Sequence, residues 1–139
     1  ESLYLQYRYA LLTTTLNSLA QNIPPELIAA FVQKRVWTPT QGLAYVRQAQ
    51  QASQRANGLI KLAPYLPGEL MSEALSVART IQDEYSRARA LIGLAEYEPE
   101  VVSELLEVAR TLQSESYRAK VLRGIAKYVS VELMREVLE

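Results

Sequence analysis

The side chains able to do chemistry in this chain are arginines and glutamates that recur at a near-constant interval. Arg47, Arg79 and Arg110 form one column and Arg55, Arg87 and Arg118 a second, successive members lying 31 or 32 residues apart. A guanidinium offers a planar fork of donors that matches a carboxylate or phosphate bidentately, so a repeated arginine could grip an anionic ligand at several points. Each column also has a structural reading. The first falls near predicted helix C-termini, where a cation complements the macrodipole. The second falls within a first helical turn, where a cation is mildly unfavourable and needs a partner. Asp83 and Glu84 precede Arg87 by four and three residues, and Glu115 precedes Arg118 by three, within reach for ion pairs on one helix face. Gln51 stands where the acid before Arg55 would be. The second column is therefore either a rung tying turn to helix or a grip on a ligand.

Other chemistry is narrowed by what the chain lacks. It contains no histidine and no cysteine, which removes imidazole bases, thiolate nucleophiles, disulfides and ordinary zinc sites together. A carboxylate-only metal site or a Lys/Glu acid–base pair would be the remaining route to catalysis. No enzyme activity, metal or cofactor is expected. Lysine plus arginine equals aspartate plus glutamate at 15 each, so no net field draws nucleic acid or a membrane surface. An apolar fraction of 49% suits a globular chain. No apolar run approaches the roughly 18–20 residues of a membrane span, and the absence of cysteine fits a cytoplasmic location.

The elements that must position these residues are set by an internal repeat. Leu62-Ala63-Pro64-Tyr65, Leu94-Ala95-Glu96-Tyr97 and Ile125-Ala126-Lys127-Tyr128 are spaced by 32 and 31 residues. The segment Glu69-Leu70-Met71-Ser72-Glu73-Ala74-Leu75 recurs as Glu100-Val101-Val102-Ser103-Glu104-Leu105-Leu106 and as Glu132-Leu133-Met134-Arg135-Glu136-Val137-Leu138. A period near 30 with helical patterning implies stacked helical hairpins. The expected fold is all-α, a right-handed α-solenoid of about nine helices. Residues 1–52 form an irregular N-terminal segment, and 53–139 form regular repeats cut short at the C-terminal end.

Proline and polar caps place the helices. Glu1 to Gln21 reads as one helix, stopped at Asn22-Ile23-Pro24-Pro25; Glu26 to Val36 is a second. Thr38-Pro39 is an N-cap with a first-turn proline, opening a third. Ser53 to Ala63, Glu69 to Ile81, Glu84 to Glu96, Glu100 to Leu112, Glu115 to Tyr128 and Val131 to Leu138 follow. The first unit departs from the period: Leu19-Ala20 matches Leu62-Ala63 at a separation of 43, so either the Glu26 helix or the Pro39 helix is additional. Trp37, the only tryptophan, lies at that irregularity. It either fills a packing gap or serves as an exposed anchor for a partner. Small residues in register, such as Ala56 with Ala88 and Ala119 and Gly93 with Gly124, read as close helix contacts. Tyr65, Tyr97 and Tyr128 read as rings spanning core and rim.

The turn Asp83-Glu84-Tyr85-Ser86-Arg87-Ala88 followed by Leu91-Ile92-Gly93-Leu94-Ala95 resembles short bacterial HEAT repeats. The Ala–Tyr spacing is similar to tetratricopeptide repeats, without their signature tryptophan. The likeness extends over roughly residues 53–139 to the arrays found C-terminal to bacterial NACHT and NB-ARC (STAND) signalling ATPases. That resemblance implies a sensor or scaffold segment and transfers no site residues. No Gly-x-x-x-x-Gly-Lys-Ser/Thr loop is present, so an ATPase would lie outside this chain.

The sequence thus points to a non-enzymatic segment that binds a protein or peptide. Arg47, Arg79 and Arg110, with Glu73 and Glu104, are the candidate surface contacts, and Trp37 is the candidate anchor. Self-association is the structural alternative, because no polar capping repeat is visible and the last apolar face would meet water unless a partner, a second copy or further repeats covered it. Starting at Glu1 without a methionine, the chain is expected to belong to something longer. Equal numbers of acids and bases, and no evident basic stripe, argue against a nucleic-acid reader.

Overall fold

The computed structural model describes the backbone of residues 2–20 and 23–138, and the side chains of 2–14 and 23–130. Among these residues there are eight α-helices, one short 3-10 turn and no strands. They are α1 (Ser2–Ala20), α2 (Pro25–Gln33), α3 (Pro39–Gln48), α4 (Ala52–Leu62), α5 (Gly68–Arg79), α6 (Glu84–Ala95), α7 (Val101–Thr111) and α8 (Glu115–Leu138). The expected end of the first helix at Gln21-Asn22 lies outside the described residues.

The starts and stops have local causes. Pro25 opens α2 at a position where a missing N–H costs nothing. The helix closes with Arg35 in the left-handed region at φ 60°, while Arg35 N–H donates to the Val32 carbonyl at 3.1 Å and Val36 N–H to that of Phe31 at 2.8 Å. This is the pattern of a helix end normally completed by glycine. Thr38 caps α3 reciprocally: its hydroxyl accepts from Gln41 N–H at 3.2 Å, and the Gln41 side chain accepts from Thr38 N–H at 2.9 Å. Pro64 turns the end of α4 into the 3-10 segment Ala63–Tyr65.

One expected break is absent. The helix opening at Glu115 continues through Tyr128-Val129-Ser130-Val131 to Leu138, so eight helices replace nine. The two earlier units are interrupted by Pro64 and Pro67-Gly68, or by Pro99. No proline or glycine occurs between Tyr128 and Leu138, so nothing removes a backbone donor or relaxes the chain there.

The helices form two layers. In one, α2, α4, α6 and α8 pack in succession; in the other lie α3, α5 and α7. The first hairpin is therefore α2 with α3. Both helices around Trp37 belong to the stack, whereas residues 2–14 of α1 are exposed throughout, including Leu3, Leu5, Tyr7 and Leu12. A single hydrophobic cluster runs from Ile28 to Ile125 between the layers.

Spacing differs between the layers. In the first, backbones come close because small residues line the contacts. A Cβ added at Gly93 of α6 would lie 2.7 Å from Cγ1 of Ile60 on α4, and one at Gly124 of α8 would lie 2.9 Å from Cδ1 of Ile92 on α6. Each isoleucine thus occupies the space that a side chain on the next helix would take. In the second layer α3 meets α5 only lightly, and the backbones of α5 and α7 stand further apart. Long side chains bridge that gap: Arg47 pairs with Glu73, and Arg79 with Glu104.

The stack is open at α7 and α8. Leu75 on α5 is 8% exposed, whereas its repeat equivalent Leu106 on α7 is 40% exposed; Leu91 on α6 is 0% exposed and its equivalent Leu122 on α8 is 44%. Ala119 and Ala126, in register with the buried Ala88 and Ala95, are exposed as well.

Candidate functional site

Two arginines of the second column, Arg87 and Arg118, are bonded to the chain's own backbone. Arg87 Nη1 donates to the Ile81 carbonyl at 3.0 Å, and Arg118 donates to the Leu112 carbonyl from Nε at 3.2 Å and Nη2 at 2.5 Å. Each guanidinium reaches back six residues to a carbonyl at the end of the preceding helix, and so ties the turn to the helix that follows. In the first unit, Arg55 Nε is buried without a hydrogen-bond partner.

The first column is committed to other residues of the chain. Arg79 meets Glu104 through Nε at 3.1 Å and Nη2 at 3.0 Å from Oε2, and the carboxylate holds the guanidinium pKa above its ordinary value. One unit earlier Arg47 pairs with Glu73 through Nη2 alone. Among the described residues no helix follows α7 in its layer, and Arg110 pairs with Glu107 on its own helix at 2.7 Å. Five of the candidate contacts, Arg47, Arg79, Arg110, Glu73 and Glu104, are thus engaged within the chain. Trp37 is half-buried: its ring stacks on Tyr45 at 4.6 Å and meets Phe31 edge-on at 4.8 Å. It fills the α2–α3 corner and packs against the core.

The exposed face of α4, α6 and α8 gathers a different set. Asp83 caps α6 by accepting from Ser86 N–H at 2.8 Å, and hydrogen bonding from the Ser86 side chain, with this N–H bond second, holds its carboxyl below the usual pKa. With the start of α6 fixed, Tyr85 and Arg89 lie one turn apart on one face. Ser114, whose hydroxyl accepts from Tyr117 N–H at 3.4 Å, and Arg118 fix the start of α8 in the same way. Tyr117 then stacks on Tyr85, with centroids 4.2 Å apart and planes inclined by 13°. The two rings and Leu112 form the wall of a shallow groove between the α5–α6 and α7–α8 turns, edged by Asp83, Glu84 and Gln113.

Two cations flank the stack. Arg89 lies 6.0 Å from the Tyr85 centroid and donates from Nη2 to the Asn57 Oδ1 on α4 at 2.8 Å. Lys120 Nζ is 5.9 Å from the Tyr85 centroid and 5.8 Å from that of Tyr117. Near-equal distances to two parallel rings put the ammonium beside the stack, not over a ring face, so its donors point past the tyrosines. Neither cation forms an ion pair among the described residues. Asn57, Arg89 and Lys120 are spaced by 32 and 31 residues, like the columns read from sequence. That column was overlooked because its three members differ in type, and only the shared interval marks them.

Charge is divided between the layers. Lys61, Arg89, Lys120, Arg123 and Lys127 lie on α4, α6 and the described part of α8, besides Arg55, Arg87 and Arg118; the acids there are Glu84 and Glu115. On α3, α5 and α7, Arg47, Arg79 and Arg110 face Glu69, Glu73, Glu104 and Glu107. A chain of zero formal net charge thus carries a cationic face, formed only when the helices are layered.

Among the described residues no group of three or more acidic, histidine or cysteine side chains could hold a metal ion, and no helix is long and apolar enough to cross a membrane. No family model, curated protein or solved structure matches the chain.

Proposed function

We propose that this chain is a non-enzymatic helical-repeat segment that binds a partner protein on the exposed face of α4, α6 and α8. In this reading the two layers belong to a right-handed α-solenoid with a unit of about 31–32 residues. The closely spaced layer lines its concave side, and the segment serves a larger cytoplasmic protein as a sensor or scaffold. The supporting observation is the Tyr85–Tyr117 stack flanked by Arg89 and Lys120, cations with no acidic partner among the described residues. Tyrosine and arginine are the residues on which interface energy concentrates, and here they share one exposed surface. Affinity capture from lysate tests it, using the natural sequence beside Tyr85→Ser/Tyr117→Ser and Arg79→Ala/Arg110→Ala. A protein retained by the natural chain and the arginine variant but lost by the tyrosine variant supports this face. Equal retention by all three refutes it.

A second reading, self-association through the open end, is favoured by the exposed Leu106 and Leu122 and by α1. A helical stretch that, like residues 2–14, exposes apolar residues throughout is ordinarily covered by something. Sedimentation showing only monomer across micromolar concentrations would count against it.

A further inference from the structure

We infer that the α4–α6–α8 face takes an acidic protein segment in extended conformation, with Arg89 and Lys120 pairing with its carboxylates. The inference rests on the protein-binding reading and adds the chemical class of the partner.

Three observations carry it. First, among the described residues the cations on this face have no acid paired with them, whereas those on the opposite layer are neutralised within the chain: Arg47 by Glu73, Arg79 by Glu104 and Arg110 by Glu107. The same fold therefore consumes one set of charges and leaves the other available. Second, Arg89 is held in place before any ligand arrives. Its bond to Asn57 uses one donor of five and fixes the fork beside Tyr85. Ordering that side chain in advance lowers the entropic cost of gripping an anion. Third, the two cations stand on neighbouring helices. Packed helices are about 8–10 Å apart, and a segment in the extended polyproline-II conformation advances roughly 3.1 Å per residue with three residues per turn, so carboxylates three residues apart lie on one side and would meet Arg89 and Lys120 in turn.

Nucleic acid fits this surface less well. The two tyrosines spend one ring face each on the other, at 4.2 Å, so the pair offers no gap for a base to enter. Glu84 and Glu115 sit at the N-terminal ends of α6 and α8. They would oppose a continuous phosphate backbone running across both helices, whereas a short acidic run can end before them.

The test is a 1H–15N NMR titration of the chain with three probes: a twelve-residue Gly/Ser peptide carrying glutamate at every third position, the same peptide with glutamine instead, and a dodecamer of oligouridylate. The glutamate peptide should shift the Asn57, Tyr85, Arg89, Tyr117 and Lys120 amides and bind more weakly as salt rises. The glutamine peptide should not bind. Arg89→Gln/Lys120→Gln should weaken the glutamate peptide by roughly tenfold, with the thermal melting curve confirming that the variant is folded. Arg89→Glu/Lys120→Glu should lose the glutamate peptide and acquire binding to a lysine peptide of the same spacing. Equal binding of the glutamate and glutamine peptides, unchanged affinity in the glutamine variant, or tighter binding of oligouridylate would each overturn the inference. If the glutamate peptide fails while Tyr85→Ser/Tyr117→Ser still loses a captured protein, the acidic class falls and the binding face stands. If both fail, both readings fall.

Discussion

Alanine at Gly58 and alanine at Gly124 should change stability in opposite directions, although both glycines lie inside helices of the same layer. At Gly58 a new Cβ would lie 2.7 Å from Cγ2, 2.9 Å from Cγ1 and 3.3 Å from Cβ of Val46. Carbon atoms prefer separations of about 3.5–4.0 Å, and Val46 cannot retreat. It is 1% exposed, and a β-branched side chain in a helix has essentially one rotamer. Overpacking of this kind costs about 1–3 kcal/mol, against about 1 kcal/mol regained in helix propensity. The net expectation is a loss of about 1 kcal/mol, a fall in melting temperature of about 3–4 °C for a chain of this size. At Gly124 the near atoms are Cδ1 of Ile92, the free end of a half-buried side chain, at 2.9 Å, and its Cγ2 at 3.3 Å, which need give by only a few tenths of an ångström. The Cδ1 methyl can swing aside, so the propensity gain survives and stability is unchanged or higher by up to about 1 kcal/mol. Circular dichroism through thermal and urea unfolding reads both. Val46→Ala should offset part of the Gly58→Ala loss, with a coupling of at least about 0.5 kcal/mol in a double-mutant cycle. Equal upward shifts for both alanine variants, or no coupling to Val46, would refute the packing argument.

Two further outcomes test local structure. Asp83→Ala should destabilise by about 1 kcal/mol through loss of the α6 cap, while Asp83→Asn should nearly preserve it. Because the folded-state pKa of Asp83 lies below its ordinary value of 3.8, its contribution is present above that value and is lost as pH falls further. The advantage of the natural chain over Asp83→Ala should therefore shrink below about pH 4 in pH-dependent melting curves, and that of Asp83→Asn should not. Arg35→Gly should raise stability by about 1 kcal/mol, since arginine at φ 60° pays the left-handed penalty that glycine avoids. An unchanged urea midpoint would show that the α2 end relaxes out of that conformation.

Much of the architecture was legible because it is written in prolines, caps and intervals. Thr38-Pro39, Pro64, Pro67-Gly68 and Pro99 mark breaks that the structure keeps, and the 31–32-residue interval put Ala88 and Leu91 in the core. Where the chain carries no breaker, as across Tyr128 to Val131, a boundary inferred from its repeat partners disappears. The position of α1 was illegible for a different reason: its apolar residues have no single stripe, so nothing in their spacing says which neighbour they should face. The arginine columns were visible, and so were the glutamates. Joining Arg79 to Glu104 requires knowing that their helices are neighbours in one layer, and no local pattern carries that information. The cationic face was hidden by averaging, because a balanced count of 15 and 15 conceals how charges are shared between two layers.

The unequal joints of the two layers have a mechanical consequence. On one side Ile60 seats against Gly93 and Ile92 against Gly124, each filling the space a side chain there would take, so the backbones sit close. On the other, partly exposed arginine–glutamate pairs span wider gaps, and such pairs exchange with water at a cost of no more than about 1 kcal/mol. The stack therefore behaves like a book bound along its glycine seam, with a stiff spine and pages that fan. Removing both clasps with Glu73→Ala/Glu104→Ala should leave the melting temperature nearly unchanged yet broaden the distance distribution between spin labels on α3 and α7. An unaltered distribution would mean the pages are held by the core alone. A partner lying on the spine would meet a surface that keeps its spacing while the far side opens and closes, so strain applied at the edge of the array is absorbed away from the bound segment.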